Sequence, residues 1–115
     1  MLRGEIRLVD LEPTRGSEAS KRRPAIVVSN DRANTAATRR GRGVVTIVPI
    51  TSNTARVFAF QTLLPAAETG LRVDSKAQAE QVRSVAVERV GGILGHAPAA
   101  IMAALDDALR LHLQL

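Results

Sequence analysis

The chain has 115 residues, no cysteine and a net charge of +5. That length predicts one domain spanning residues 1–115, with a core that needs no covalent staples. The absence of cysteine excludes a disulfide framework and a thiolate metal site, and no apolar run approaches the ~18 residues of a membrane span. The opening Met1-Leu2-Arg3-Gly4-Glu5 lacks the layout of a signal peptide, so a cytoplasmic, non-membrane protein is expected. Charge is uneven: residues 1–60 hold 11 Lys/Arg against 5 Asp/Glu, and residues 61–115 hold 5 against 6. The basic half is where a polyanion would bind. Phe58 and Phe60 are the only aromatic residues, so base stacking would have to draw partly on arginine planes.

Residues 5–11 alternate loosely around Ile6 and Leu8 and read as a first strand. Residues 12–22 are polar, with Pro13 and Gly16, and read as a loop. Arg23-Pro24-Ala25-Ile26-Val27-Val28-Ser29 contains four consecutive apolar residues between Pro and Ser, the pattern of a strand buried on both faces. Pro24 cannot donate to a ladder and belongs at the strand's start. Ser29 or Asn30 can cap a short helix or turn over 31–38, and residues 39–43 form a basic, glycine-bearing turn. Residues 44–50 are almost entirely β-branched or apolar and predict a strand, followed by the small polar run Thr51-Ser52-Asn53-Thr54. Residues 56–64 alternate around Val57, Phe58, Phe60 and Leu63, and 65–70 read as a loop. Over 73–86, propensity permits a helix and alternation permits a strand; the residues alone do not decide. Gly91-Gly92 reads as a break before a short extended piece at 93–95. Ile101, Leu105, Leu109 and Leu113 recur every fourth residue and predict an amphipathic helix over 98–112, with Pro98 in its first turn. Several short strands and one terminal helix predict a mainly β fold, a small barrel whose open side the helix covers.

Four stretches, taken together and in this order, resemble the MazF/PemK family of toxin ribonucleases. They are Arg3-Gly4-Glu5-Ile6 with Val9-Asp10-Leu11-Glu12-Pro13 and Gly16-Ser17-Glu18; Lys21-Arg22-Arg23-Pro24-Ala25-Ile26-Val27-Val28-Ser29-Asn30-Asp31; Val48-Pro49-Ile50-Thr51-Ser52; and Ala79-Glu80-Gln81-Val82-Arg83-Ser84-Val85 with Gly92-Ile93-Leu94-Gly95. The resemblance implies an SH3-like β-barrel of the MazF/PemK/CcdB type with accessory helices, acting as a homodimer, and it makes residues 77–85 a strand. It implies sequence-selective cleavage of single-stranded RNA, chiefly mRNA, and an antitoxin whose acidic, flexible tail occupies the RNA groove. Carried onto this chain, it implies Arg23 and Thr51 as catalytic residues and Glu18 as an accessory acid. The first strand carries Arg7 and Leu8 where many members have aromatic residues, which counts against stacking from that strand.

RNA supplies its own nucleophile, the 2′-hydroxyl beside the scissile phosphate, so neither a metal nor another cofactor is expected. Products with 2′,3′-cyclic phosphate and 5′-hydroxyl ends follow. An arginine fork can grip two phosphate oxygens, and a guanidinium is a poor base in water; phosphate stabilisation is the role assigned to Arg23. Thr51 offers a hydroxyl donor, against the plainer reading of a turn hydrogen bond. Ser17, Lys21 and Arg22 are candidates for RNA contact near Arg23. Ser52 and Asn53 are candidates near Thr51, where short polar groups can read base edges. Gln81 and Arg83 would line the groove from one strand face. Arg39, Arg40 and Arg42 would extend the phosphate-binding surface, the alternative being an exposed turn. His96 and His112 lie far from the basic stretches in sequence, no metal-ligand spacing occurs, and Asp106-Asp107 read as solvated. The rival readings are a CcdB-like topoisomerase poison and a non-catalytic RNA-binding barrel; both leave the Arg23–Thr51 pair without a use.

Overall fold

The computed structural model describes residues 1–11 and 22–115. Its first strand, β1 (Glu5–Asp10), pairs antiparallel with β2 (Arg22–Val27), where Pro24 is the third residue, opposite Leu8. Asn30 then caps α1 (Asp31–Arg40) by accepting from the Ala33 N–H at 2.8 Å. The helix runs further than residue 38, so Arg39 and Arg40 occupy its last turn, where cations suit the helix dipole. Asn34 is fully buried in α1: its amide donates to the Ser29 carbonyl at 2.8 Å and its oxygen accepts from the Ser29 hydroxyl at 2.5 Å. Because Ser29 Oγ also accepts from the Thr46 N–H, this polar group ties helix to sheet.

β3 (Val44–Thr51) is the hub of the sheet. One edge pairs with β2. Its other edge takes two partners in succession: β6 (Arg83–Ala86) along Val44–Ile47, and β5 (Ser75–Gln78) along Ile50–Thr51. The predicted continuous strand over 77–85 is therefore broken by a 3-10 turn at Ala79–Gln81. The break faces Val48 and Pro49, which have no paired residue on that edge. A proline that cannot donate sits naturally where a ladder is interrupted. Only Gln61–Leu64 of the expected strand over 56–64 forms one, β4, and the expected loop at 65–70 contains a short helix, α2 (Ala66–Thr69).

β7 (Val90–His96) includes Gly91 and Gly92, so the predicted break lies inside a strand. It pairs with β1 through two register shifts. A Cβ at residue 91 would lie 2.9 Å from the Leu8 carbonyl oxygen, so only glycine lets the strand ride this closely over the irregularity. The strand order is β4-β5-β3-β2-β1-β7, with β6 beside β3; β4 and β7 do not pair, so hydrogen bonds leave the barrel open. A backbone contact spans that opening instead: a Cβ on Gly95 would fall 2.2 Å from the Thr69 carbonyl oxygen.

β2 and β3 are buried on both faces, as their apolar runs require. Ile26 and Val48 enter one core with α3 (Ala99–Leu113), through Ile101, Met102 and Leu105. Ala25, Val27 and Ile47 enter a second core with Ala37 of α1. Asp106 of α3 is not simply solvated: Arg3 pairs with it at 2.5 Å while donating to the Val28 carbonyl at 2.8 Å. Asp107 stays exposed beside Arg110. Among the described residues, no helix is long and apolar enough to cross a membrane.

Candidate active site

Two strand ends meet at the site. β2 and β3 pair Ala25 with Pro49, Ile26 with Val48 and Val27 with Ile47. Continued two residues outward, the same register sets Arg23 opposite Thr51, on one face of the pair. Both line an open cavity of about 480 Å³, together with Pro24, Ile50 and Ser52. The lining is completed by the connection carrying Leu71, Arg72 and Val73 and by Leu94 of β7. Arg23 is exposed and Thr51 half-buried.

Thr51 makes the turn bond that its position after a strand suggests: its Oγ1 accepts from the Asn53 N–H at 3.3 Å. That uses a lone pair and leaves the hydroxyl proton free to donate into the cavity. Asn53 in turn accepts from the Ala55 N–H at 3.3 Å, which holds the polar run in a tight course beside Thr51. Two guanidinium groups, Arg23 and Arg72, face a lining that contains no carboxylate among the described residues. The arrangement suits an anion with two or more oxygens. Among the described residues, no three His, Asp or Glu side chains gather as a metal would require.

The other sequence candidates are dispersed. Arg22 points away from Arg23, because adjacent strand residues face opposite sides. It lines a smaller cavity of about 180 Å³ with Asp10, Glu88 and Arg89. Arg83 donates to the Leu11 carbonyl at 2.8 Å and pins β6 to the end of β1. Gln81 is exposed in the 3-10 turn, so the two do not share a strand face. Arg39 and Arg40 end α1 and Arg42 follows in the connection to Val44, the end of β3 that lies about 23 Å along the strand from Thr51. Ser52 lines the cavity, and Asn53 is exposed next to it. His96 ends β7 opposite Glu5, and His112 is exposed on α3. Ser17, Glu18 and Lys21 lie outside the described residues. Arg72 was not foreseen: its only signal in sequence is a cation between Leu71 and Val73, ordinary for a loop. Burial works to raise the Glu5 carboxyl, but the Arg7 hydrogen bonds at 2.8 and 3.0 Å, a backbone bond at Leu2 and the Arg7 charge outweigh it and hold the group below its ordinary value.

Comparison with known proteins bears on this geometry. Residues 2–113 match the family described as PemK-like, MazF-like toxin of type II toxin–antitoxin system. The chain is 64% identical over its full length to Endoribonuclease MazF9 of Mycobacterium tuberculosis, covering 98% of that protein. The fold superposes on the M. tuberculosis toxin MazF-mt6 with a TM-score of 0.76 at 22% identity, covering 96% of this chain and 97% of that one. It also superposes on a MazE–MazF crystal structure from Deinococcus radiodurans with a TM-score of 0.74 at 26% identity, covering 100% and 96%.

Proposed function

Because the chain belongs to the PemK-like, MazF-like family of type II toxin–antitoxin toxins, we propose that it is an endoribonuclease cutting single-stranded RNA by attack of the 2′-hydroxyl on the adjacent phosphodiester. The observation that supports this most directly is the cavity that Arg23 and Thr51 line together, just beyond the last paired residues of β2 and β3. In the proposed reaction the 2′-hydroxyl loses its proton to solvent as its oxygen attacks phosphorus, the bond to the 5′-oxygen breaks as that oxygen takes a proton from solvent, and the products carry 2′,3′-cyclic phosphate and 5′-hydroxyl ends. Arg23 grips two non-bridging oxygens as charge builds on them. Thr51 donates its free hydroxyl proton to the same group. Arg72, which lines the same cavity, holds a neighbouring phosphate. Glu18 keeps the accessory acid role that the family reading assigns to it. No metal is needed, because the substrate carries its own nucleophile.

The partner of a type II toxin is an antitoxin, and the cavity suits the expected acidic tail. Arg23 and Arg72 supply charge, while Leu71, Val73 and Leu94 supply an apolar floor on which an apolar side chain of that tail can rest. Exposed Ile93, Leu94 and Val73 are also surface that the second copy of a homodimer would cover. The match over residues 2–113 supports treating the whole chain as one domain, acting in the cytoplasm where mRNA is found.

The decisive experiment maps the 5′ ends of fragments made from a long unstructured RNA by purified protein in excess EDTA. Cleavage at a restricted set of sequences, with cyclic phosphate on the upstream fragment, is the expected result. Uncut RNA under all conditions, or loss of cleavage in EDTA restored by a divalent metal, sinks the reading. Uncut RNA together with arrest of a topoisomerase would favour the CcdB-like alternative.

A further inference from the structure

We propose that Lys76 is a positioning residue for RNA sequence selection, holding the connection between β3 and β4 so that Phe58 stands as a base contact beside the Arg23–Thr51 site. The inference rests on the endoribonuclease reading and deepens it. Pairing sets Lys76 opposite Thr51 on one side and opposite Leu63 on the other, so Thr51, Lys76 and Leu63 form one row across three strands. Within that row Lys76 is the buried member, 7% exposed. Lysine is rarely buried, and an apolar side chain would cover the sheet here at lower cost. What the amine adds is direction. Nζ donates to the Arg56 carbonyl at 2.5 Å and lies 5.8 Å from the centre of the Phe58 ring.

A second tether acts two residues further on. The Phe58 N–H donates to Gln61 Oε1 at 3.1 Å, and Gln61 Nε2 donates to Glu80 at 2.7 Å. The segment is thus fixed at Arg56 and at Phe58. The ring so placed is 43% exposed, has the Arg56 guanidinium 5.1 Å from its centre, and leans on Phe60 at 5.2 Å. In a chain with two aromatic residues, the exposed one is held beside Lys76, the residue paired with Thr51, with a guanidinium next to it. That pairing is suited to stacking on a nucleobase. Cleavage chemistry remains with Arg23 and Thr51; the Lys76 tether governs which base is accepted next to the scissile phosphate.

The test compares wild type, Lys76→Met and Lys76→Arg on one RNA pool, reading kcat/KM at the preferred cut sequence relative to the next-best sequences. Lys76→Met is expected to reduce that ratio a few-fold, because bases differ only modestly in how strongly they stack on an aromatic ring, and to spread the 5′-end map. Lys76→Arg, which keeps a donor, is expected to restore most of it. A general loss of structure lowers all sites together and leaves the ratio alone, so an unchanged ratio in Lys76→Met overturns the proposal. If Lys76→Met does not fold, Phe58→Leu takes its place: loss of discrimination supports the proposal and an unchanged ratio overturns it. Wild-type protein that cuts no RNA removes the functional reading beneath it, an outcome distinct from wild-type cleavage with an unaltered site preference in the variants.

Discussion

Arg23 is the residue on which the proposed chemistry places the most free energy, and its position lets folding and catalysis be separated. It is exposed at the end of β2, and its guanidinium has no hydrogen-bond or ion-pair partner among the described residues. Removing it should therefore change stability by no more than about 0.5 kcal/mol. Its expected catalytic role is to hold two oxygens of a phosphate whose charge rises in the transition state. Losing such a preorganised donor costs about 2.7–4 kcal/mol, or about 10²–10³ in kcat. Arg23→Ala should show this full loss. Arg23→Lys keeps a point charge but not the fork and should fall between. Thr51→Ala removes one neutral donor, about 1 kcal/mol, and should cost about fivefold. Because both groups act on the same phosphate, the double variant should lose less than the product of the two. The assay is single-turnover cleavage of a short fluorogenic RNA in excess EDTA, with thermal melts followed by circular dichroism. Arg23→Ala that melts like wild type and cleaves within threefold of it would refute the assignment.

Other expectations concern the frame around the site. Gly95→Ala forces a Cβ to within 2.2 Å of the Thr69 carbonyl oxygen, so backbone must move; destabilisation of about 3 kcal/mol or more is expected, read as a melting point lowered by about 10 °C. Leu105, fully buried between α3 and the sheet, should cost about 2–5 kcal/mol as Leu105→Ala, seen as a lower urea midpoint at an unchanged slope. Glu5 is held below its ordinary value: burial opposes this, and the Arg7 hydrogen bonds and charge overcome it. A carboxyl lowered by folding adds stability above its unfolded value and loses it as pH falls through the folded one. Glu5→Gln should accordingly flatten the fall in melting temperature below about pH 4, and an acid limb identical to wild type would remove Glu5 from that account.

What could be read from the residues alone was local. The β-branched run at 44–50 became β3, the fourfold-spaced apolar stripe became α3, and the run after Pro24 became a strand buried on both sides, because period and side-chain shape act within a few residues. Arg23 and Thr51 were legible as candidates through family resemblance, and even the separation of Arg22 from Arg23 was latent in the twofold period of a strand. The rest depended on partners distant in sequence. Whether 77–85 stayed one strand was decided by β3, whose Pro49 stands where the ladder breaks. Gly91-Gly92 reads as a turn by itself, yet becomes strand because β7 pairs with β1, where the Leu8 carbonyl leaves no room for a Cβ at residue 91. Arg72 and Lys76 took their places only when their segments closed over β3, and Arg39, Arg40 and Arg42 went to that strand's other end. Strand register is a tertiary quantity: it is set by which faces find a core, and it alone determines which cations meet around a phosphate.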